Sequence, residues 1–184
     1  MIIAAFCGTG KSVFAAKNPE KVIDFVCMPY KYFLDSKGED GEFCKANPKN
    51  VMRPDWPFNY LNAIKDTDSK GKLILIPSES QVLELLRAEN IPYVLVYPQR
   101  EAKDIYHKRF IDRGNSDDFI NIFIGNWDYF LDVLEKDPAE HIVLQPHQFL
   151  SDAIDVTQFI EEHSDINSQR WKSDYSSSDA YLLA

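Results

Sequence analysis

The chain has 184 residues, 45% hydrophobic and 13% aromatic, and carries a formal net charge of −9. That length holds one domain rather than two, and the apolar content excludes a natively disordered chain. The acidic balance argues against broad binding to a phosphate backbone, so nucleic acid is not an expected partner, although a local basic patch can still hold a small anion.

The first element, "MIIAAF", is apolar and lacks a basic leader. It reads as a buried strand rather than a targeting segment, which makes the cytoplasm the expected location. No apolar run reaches the length needed to cross a membrane, so no membrane partner is expected. Strands are expected at Ile2–Phe6, Val22–Val26, Lys72–Pro77, Tyr93–Pro98 and His141–Pro146. The runs "LILI", "YVLVY" and "HIVLQ" suit strands covered on both faces. Between them, helices are expected at Lys11–Lys17, Phe58–Asp66, Glu79–Glu89, Glu101–Arg113, Asp117–Lys136 and Leu150–His163. Pro77, Pro98 and Pro146 close three of the strands, because proline has no N–H to continue a ladder. Alternation of strand and helix predicts an α/β fold, a five-stranded parallel sheet with helices on both faces in three layers. The domain is expected to span residues 1–163, with an aromatic insertion at 28–57. A loosely packed or disordered tail is expected at 164–184, where serines replace core residues.

The strand–turn–helix "IIAAFCGTGKSVFAAK" carries the most specific signal. Gly8-Thr9-Gly10-Lys11-Ser12 follows a strand and opens a helix, the context that a phosphate-binding loop requires. The chemistry needs each part. Backbone N–H groups from Cys7 to Val13 wrap phosphates, Lys11 reaches the terminal phosphates, and the Ser12 hydroxyl takes Mg²⁺. The motif's first glycine is Ala5 here, the mildest replacement provided its φ stays negative. Gly8 and Gly10 remain where the backbone must approach a phosphate closely. Cys7, near the helix start and Lys11, is expected to have a lowered pKa.

With that loop and five strands in order, the chain resembles the small P-loop kinases of the nucleoside-monophosphate kinase-like group. The resemblance covers roughly residues 1–163. It implies a P-loop NTPase fold that binds ATP·Mg²⁺ and moves its γ-phosphoryl to a small-molecule acceptor, a nucleotide or nucleoside. The sequence "YVLVYPQREAKDIYHKRFIDRG" is similar to the group's arginine-bearing lid, over residues 100–118. By that resemblance Arg109 lies over the nucleotide base or phosphates. Arg113 clamps a phosphate, and Gly114 in "RGNSDD" serves as the hinge of a short, flexible lid. Arg100 and His107 are weaker candidates. On residue spacing alone, Asp112 beside Arg109 and Asp104 beside Lys108 also fit a solvated, salt-bridged face.

An acid must also serve the metal or the acceptor. The strand "LILIPSE" ends in Pro77-Ser78-Glu79 rather than an aspartate. Ser78, Glu79 and Gln81 read equally as a helix cap with acids in the first turn. Asp24, a carboxylate inside the apolar run "VIDFV", is costly to bury unless paired or used. By the resemblance it would contact the acceptor or the metal waters. Tyr30, Lys31, Tyr32, Phe33, Arg53 and Trp56 form an aromatic, basic insertion that either lines an acceptor pocket or packs onto the domain. Trp127, Tyr129 and Phe130 read as helix-packing residues.

The three cysteines, Cys7, Cys27 and Cys44, are odd in number and widely spaced. With no C-x-x-C and no H-E-x-x-H, neither a disulfide framework nor a zinc site is expected. The chain has no guanine-specific N-K-x-D motif. Two other readings stay open: a kinase for a sugar or acid, and a nucleotide-binding regulator with little turnover. Oligomeric state is left open.

Overall fold

The computed structural model describes residues 1–33, 51–67 and 71–163. In chain order these hold β1 (Ile2–Ala5), α1 (Lys11–Lys17), β2 (Val22–Asp24), α2 (Met28–Lys31), β3 (Tyr32–Phe33), β4 (Val51–Met52) and α3 (Phe58–Asp66). They continue with β5 (Leu73–Pro77), α4 (Ser80–Ala88), β6 (Tyr93–Pro98) and a 3-10 turn, Arg100–Ala102, leading into α5 (Lys103–Asp112). Last come α6 (Asp117–Gly125), α7 (Trp127–Glu135), β7 (Glu140–Leu144), α8 (Leu150–Ala153) and α9 (Val156–Glu162).

All five expected strands join one sheet in the order β2-β5-β1-β6-β7, and every pairing in it is parallel. The side-chain period of two splits the strands between two cores. Ile2, Ala4, Ile74, Ile76, Leu95 and Tyr97 face one core with residues of α3, α4, α5, α6 and α7. Ile3, Ala5, Leu73, Leu75, Val94 and Val96 face the other with α1, α8 and α9. Three layers result, and each strand at the centre is apolar on both sides because both sides are covered. At the edge, β7 is only partly covered.

Two helices expected as single pieces are broken. The stretch Asp117–Lys136 divides at Asn126, which ends α6 and starts α7 with φ −107° and ψ 23°. Its side-chain amide donates to the Ile122 carbonyl at 2.8 Å, an alternative to helical pairing. The stretch Leu150–His163 divides before Asp155, whose carboxylate caps α9 by accepting from the Gln158 N–H at 2.9 Å. The short α2 and the antiparallel pair β3–β4 were not legible as elements. The expected tail at 164–184, Cys44 and part of the insertion lie outside the described residues.

The central strand decides where a site can form. After β1 the chain fills the β5 side, then crosses to β6 on the opposite side. The C-terminal end of β1 therefore sits at a topological switch point, where an open α/β sheet leaves a crevice.

Candidate functional site

The crevice is floored by the turn between β1 and α1. Ala5 is the last residue of β1, fully buried and paired with Pro77 and Val96, and its φ is not positive. The position thus belongs to the strand and does not need glycine's freedom. Gly8 and Gly10 do: their φ values are +79° and +90°. Space is also closed there. A Cβ on Gly8 would lie 2.9 Å from Phe110 Cε1, and one on Gly10 would lie 3.2 Å from Phe149 Cδ1. Thr9 is buried and its hydroxyl donates to the Phe6 carbonyl at 2.8 Å, cinching the turn.

None of the seven N–H groups from Cys7 to Val13 donates to a described residue; the first helical bond of α1 is Phe14 N–H to the Gly10 carbonyl at 2.9 Å. Consecutive unpaired N–H groups in a turn of this kind form an anion-binding concavity. The Lys11 amine lies across the same turn and donates to the Ala5 and Phe6 carbonyls at 2.7 and 2.9 Å. Burial lowers its pKa, with Cys7, Asp24 and Cys27 acting the other way. Ser12 and Val13 are exposed on the first turn of α1.

Helix α5 brings two arginines over this turn. Arg109 donates to the Gly8 carbonyl at 3.4 Å and to the Pro146 and Gln148 carbonyls at 3.4 and 3.2 Å. Its guanidinium lies 3.9 Å from the Phe149 ring centroid and 4.6 Å from that of Tyr106. Arg109 so ties three separate segments together without meeting a carboxylate among the described residues. Arg113, at the C-terminal cap of α5, is exposed and unpaired there, yet its charge is felt at both Lys11 and Cys7. The salt-bridged face foreseen for this helix is real only for Lys108, which meets Asp112 at 2.9 Å. Asp112 does not pair with Arg109. Gly114 adopts φ +69° and reverses the chain after α5, and Ser116 caps α6 by accepting from Phe119 N–H at 3.3 Å. The region is a capped helix–turn–helix.

Several expectations are corrected. Arg100 is not a site cation: it meets Asp128, Asp132 and Glu135 at 3.4, 2.7 and 2.8 Å and fastens the end of β6 to α7. Cys7 has its pKa pushed up to about 12, because burial outweighs the nearby charges of Lys11 and Arg113. It remains a thiol at neutral pH. The cap reading of Ser78-Glu79-Gln81 also fails. Glu79 holds the N-cap position of α4 without a side-chain capping bond, and the first turn of α4 contains no acid. The Glu79 carboxylate instead accepts from Lys31 at 2.8 Å, and Gln81 accepts from the Trp56 indole at 2.7 Å.

Asp24 ends β2, level with Leu75 of β5. It is half-buried, with no hydrogen bond or ion pair among the described residues, and its charge reaches Lys11 and the Tyr60 phenol. Next to it the insertion's aromatics pack together: Phe25 stacks on Tyr30 at 5.6 Å, and Tyr60 and Trp56 complete the cluster. Lys31 lies 5.4 Å from the Trp56 ring, and Arg53 pairs with Asp55 at 3.1 Å. Trp127 is fully buried and edge-on to Phe6 at 5.6 Å, as a packing residue should be, whereas Tyr129 is exposed. His107 is exposed on α5. His141 and His163 have partners, Tyr97 with the Asp137 carbonyl for one and the Phe159 carbonyl with Glu140 for the other.

Two residues of the site escaped sequence reasoning. Phe149 covers Arg109 and abuts Gly10, but it arrives from the far end of the chain with no motif around it. Tyr106 is fully buried against Gly8, and its hydroxyl has no hydrogen-bond partner among the described residues. Its position one turn before Arg109 is the only local sign that it shares that face. Among the described residues no three His, Cys, Asp or Glu side chains gather as a metal cage. Mg²⁺ brought by a phosphate ligand requires no such cage, because it keeps most of its waters. Among the same residues no helix is long and apolar enough to cross a membrane. No protein-family model and no curated protein matches the chain.

Proposed function

We propose that the chain is an ATP-dependent phosphotransferase of the P-loop kinase type, acting on a nucleotide or nucleoside. One observation carries the reading. Seven backbone donors, Cys7 to Val13, without an acceptor among the described residues share a crevice with Lys11, Arg109 and Arg113, and no carboxylate among those residues pairs with these three cations. Phosphoryl transfer is mostly positioning and charge stabilisation, and this is the equipment it needs.

The residues divide the work. The turn Cys7–Val13 wraps the phosphate chain of a nucleoside triphosphate. Lys11 exchanges two neutral carbonyl partners for charged phosphate oxygens, a stronger kind of hydrogen bond. Arg113 reaches the same phosphates from α5. Arg109 holds the loop after β7 against the turn and offers its guanidinium, flanked by Phe149, to the nucleotide. Ser12 supplies the hydroxyl for Mg²⁺, which when bound neutralises phosphate charge. Asp24 faces the acceptor. A cytoplasmic location, with its supply of ATP, belongs to this reading.

The test is calorimetry with ATP·Mg²⁺ on wild type and Lys11→Ala, followed by ADP release with nucleoside, nucleotide and sugar acceptors. Binding by wild type, and acceptor-dependent turnover that falls about 10²–10³-fold in Lys11→Ala, is the expected result. Absence of ATP binding by wild type overturns the reading. A second reading, a nucleotide-binding regulator with little turnover, is favoured by one feature: Glu79, the acid beside β5, is closed on Lys31. ATP binding without acceptor-dependent ADP release supports it.

A further inference from the structure

The turn after β1 and the segment after β7 lie against each other, and their backbone groups are used in opposite ways. The Leu150 N–H donates to the Thr9 carbonyl at 2.9 Å, and the Phe149 ring abuts Gly10. In the turn, the N–H groups from Cys7 to Val13 have no acceptor among the described residues. In the segment 145–150 the backbone is already engaged. The Gln145 N–H donates to the Gln148 side-chain carbonyl at 2.8 Å, the Gln148 N–H to the Gln145 carbonyl at 2.9 Å, and the Phe149 N–H to Asp152 at 2.8 Å. The Pro146 and Gln148 carbonyls accept from Arg109, and the Phe149 and Leu150 carbonyls accept from the Asp152 and Ile154 N–H groups at 3.0 Å. Proline has no N–H, so within this segment only the His147 backbone groups are left over.

This contrast bears on how a nucleoside triphosphate is chosen. Its phosphates are gathered by N–H donors and cations, and they are the same whatever base they carry. Bases differ in the hydrogen-bonding groups on their edges. A site built to bond those groups rejects a wrong partner by about 10⁴–10⁵-fold, and a site that only packs against them discriminates far less. The segment adjoining the turn has spent the groups that edge reading needs. What it presents instead is a ring. The Arg109 guanidinium lies over Phe149, 3.9 Å from its centroid, and the residue is still 40% exposed, which leaves ring surface open to a ligand. An aromatic surface holds any base by stacking, because every base has a π-face.

Resting on the phosphotransferase reading, we propose that the crevice selects its nucleotide by the phosphates and not by the base, with Phe149 as the stacking platform, so that purine and pyrimidine nucleoside triphosphates bind alike. Three contacts fix the platform. Arg109 backs the ring and holds the carbonyls on either side of His147, the Leu150 N–H ties the segment to Thr9, and Asp152 holds the Phe149 N–H. A ring held in this way adds affinity without ordering the bases, because stacking has no donor or acceptor to match. ATP is then one donor among several.

The experiment measures, by calorimetry with Mg²⁺, the binding of ATP, GTP, CTP, UTP and inorganic tripolyphosphate to wild type, Phe149→Leu and Phe149→Tyr. Thermal melting is followed on the same samples. The four nucleotides are expected to bind wild type within about 5-fold of one another, and tripolyphosphate at least ~10-fold more weakly. Phe149→Leu keeps bulk against Gly10 and removes the ring. It is expected to weaken all four nucleotides about 10-fold, and tripolyphosphate by far less. Phe149→Tyr keeps the ring and is expected to bind as wild type does. A preference of wild type for one base by more than about 20-fold overturns the proposal and leaves the nucleotide site standing. So does a Phe149→Leu protein that melts like wild type and binds the four nucleotides as tightly. Where Phe149→Leu does not fold, the ranking of the bases by wild type decides alone. Failure of wild type to bind any of the five ligands removes the phosphotransferase reading itself, and the proposal with it.

Discussion

The two edges of the parallel sheet treat charge in opposite ways. At the N-terminal edge, a cavity of about 380 Å³ is bordered by Arg87, Tyr93, Glu140 and His163, and each of these four has a polar partner nearby. Asp137 pairs with Arg87, accepts from the Tyr93 hydroxyl at 2.7 Å and accepts from the Ala139 N–H at 3.0 Å. His163 sits 3.2 Å from Glu140. At the C-terminal edge, among the described residues, Lys11 hydrogen-bonds only to backbone carbonyls, Arg109 to carbonyls and two ring faces, Arg113 and Asp24 have no hydrogen-bond or ion-pair partner, and seven N–H groups have no acceptor. Polar groups left unmatched and gathered in one crevice support the ligand site proposed above. Matched charges hold the fold; the unmatched ones are those the proposed function assigns to a ligand.

The contrast can be broken from the structural side. Asp137→Ala leaves Arg87, the Tyr93 hydroxyl and the Ala139 N–H without their acceptor. A loss of about 3 kcal/mol in urea unfolding is expected, with ATP affinity unchanged. If ATP affinity falls along with stability, the two edges are not separable. Gly10→Ala probes the other edge. A side chain at φ +90° and 3.2 Å from Phe149 costs about 1–2 kcal/mol of stability, and here ATP affinity falls too, because Phe149 and the turn must move.

The smallest effect sharpens the picture at Cys7. Its pKa is pushed up to about 12 from an ordinary value of 9.0. In the unfolded chain the thiol ionises first, so the unfolded state binds fewer protons between the two values. Stability from this group is complete below pH 9.0, declines as pH rises, and is gone above about 12. At pH 8, alkylation of native Cys7 by iodoacetamide, read by mass spectrometry, should run at least ~10-fold slower than that of a free cysteine. Rapid alkylation would mean that the charges of Lys11 and Arg113 dominate over burial.

Much of the fold was legible because its signals are local. The runs "LILI" and "YVLVY" state that both faces of a strand are covered, whichever neighbours cover them. The breaks at Asn126 and Asp155 were missed because both stretches keep an apolar period through the break. Only side-chain bonds to the backbone end the helices there. In the site, the turn Gly8–Ser12 was legible as strand, glycines, lysine and helix in order. Arg100 and Glu79 were misread for a shared reason: each looks available in sequence, and each is neutralised by residues that lie far along the chain, Asp132 and Glu135 for one and Lys31 for the other.

By itself the sequence determined the kind and order of the strands, the glycine-rich turn after the first of them, and the residues proposed to serve it. These follow from backbone geometry and side-chain period over a few residues. The tertiary structure alone decided the strand order that puts this turn at the switch point. It brought Phe149 and Tyr106 against the two glycines, raised the Cys7 pKa by burial, and sorted the charges into paired and unpaired. Those outcomes depend on distances through space between residues tens of positions apart, and no local pattern carries that information.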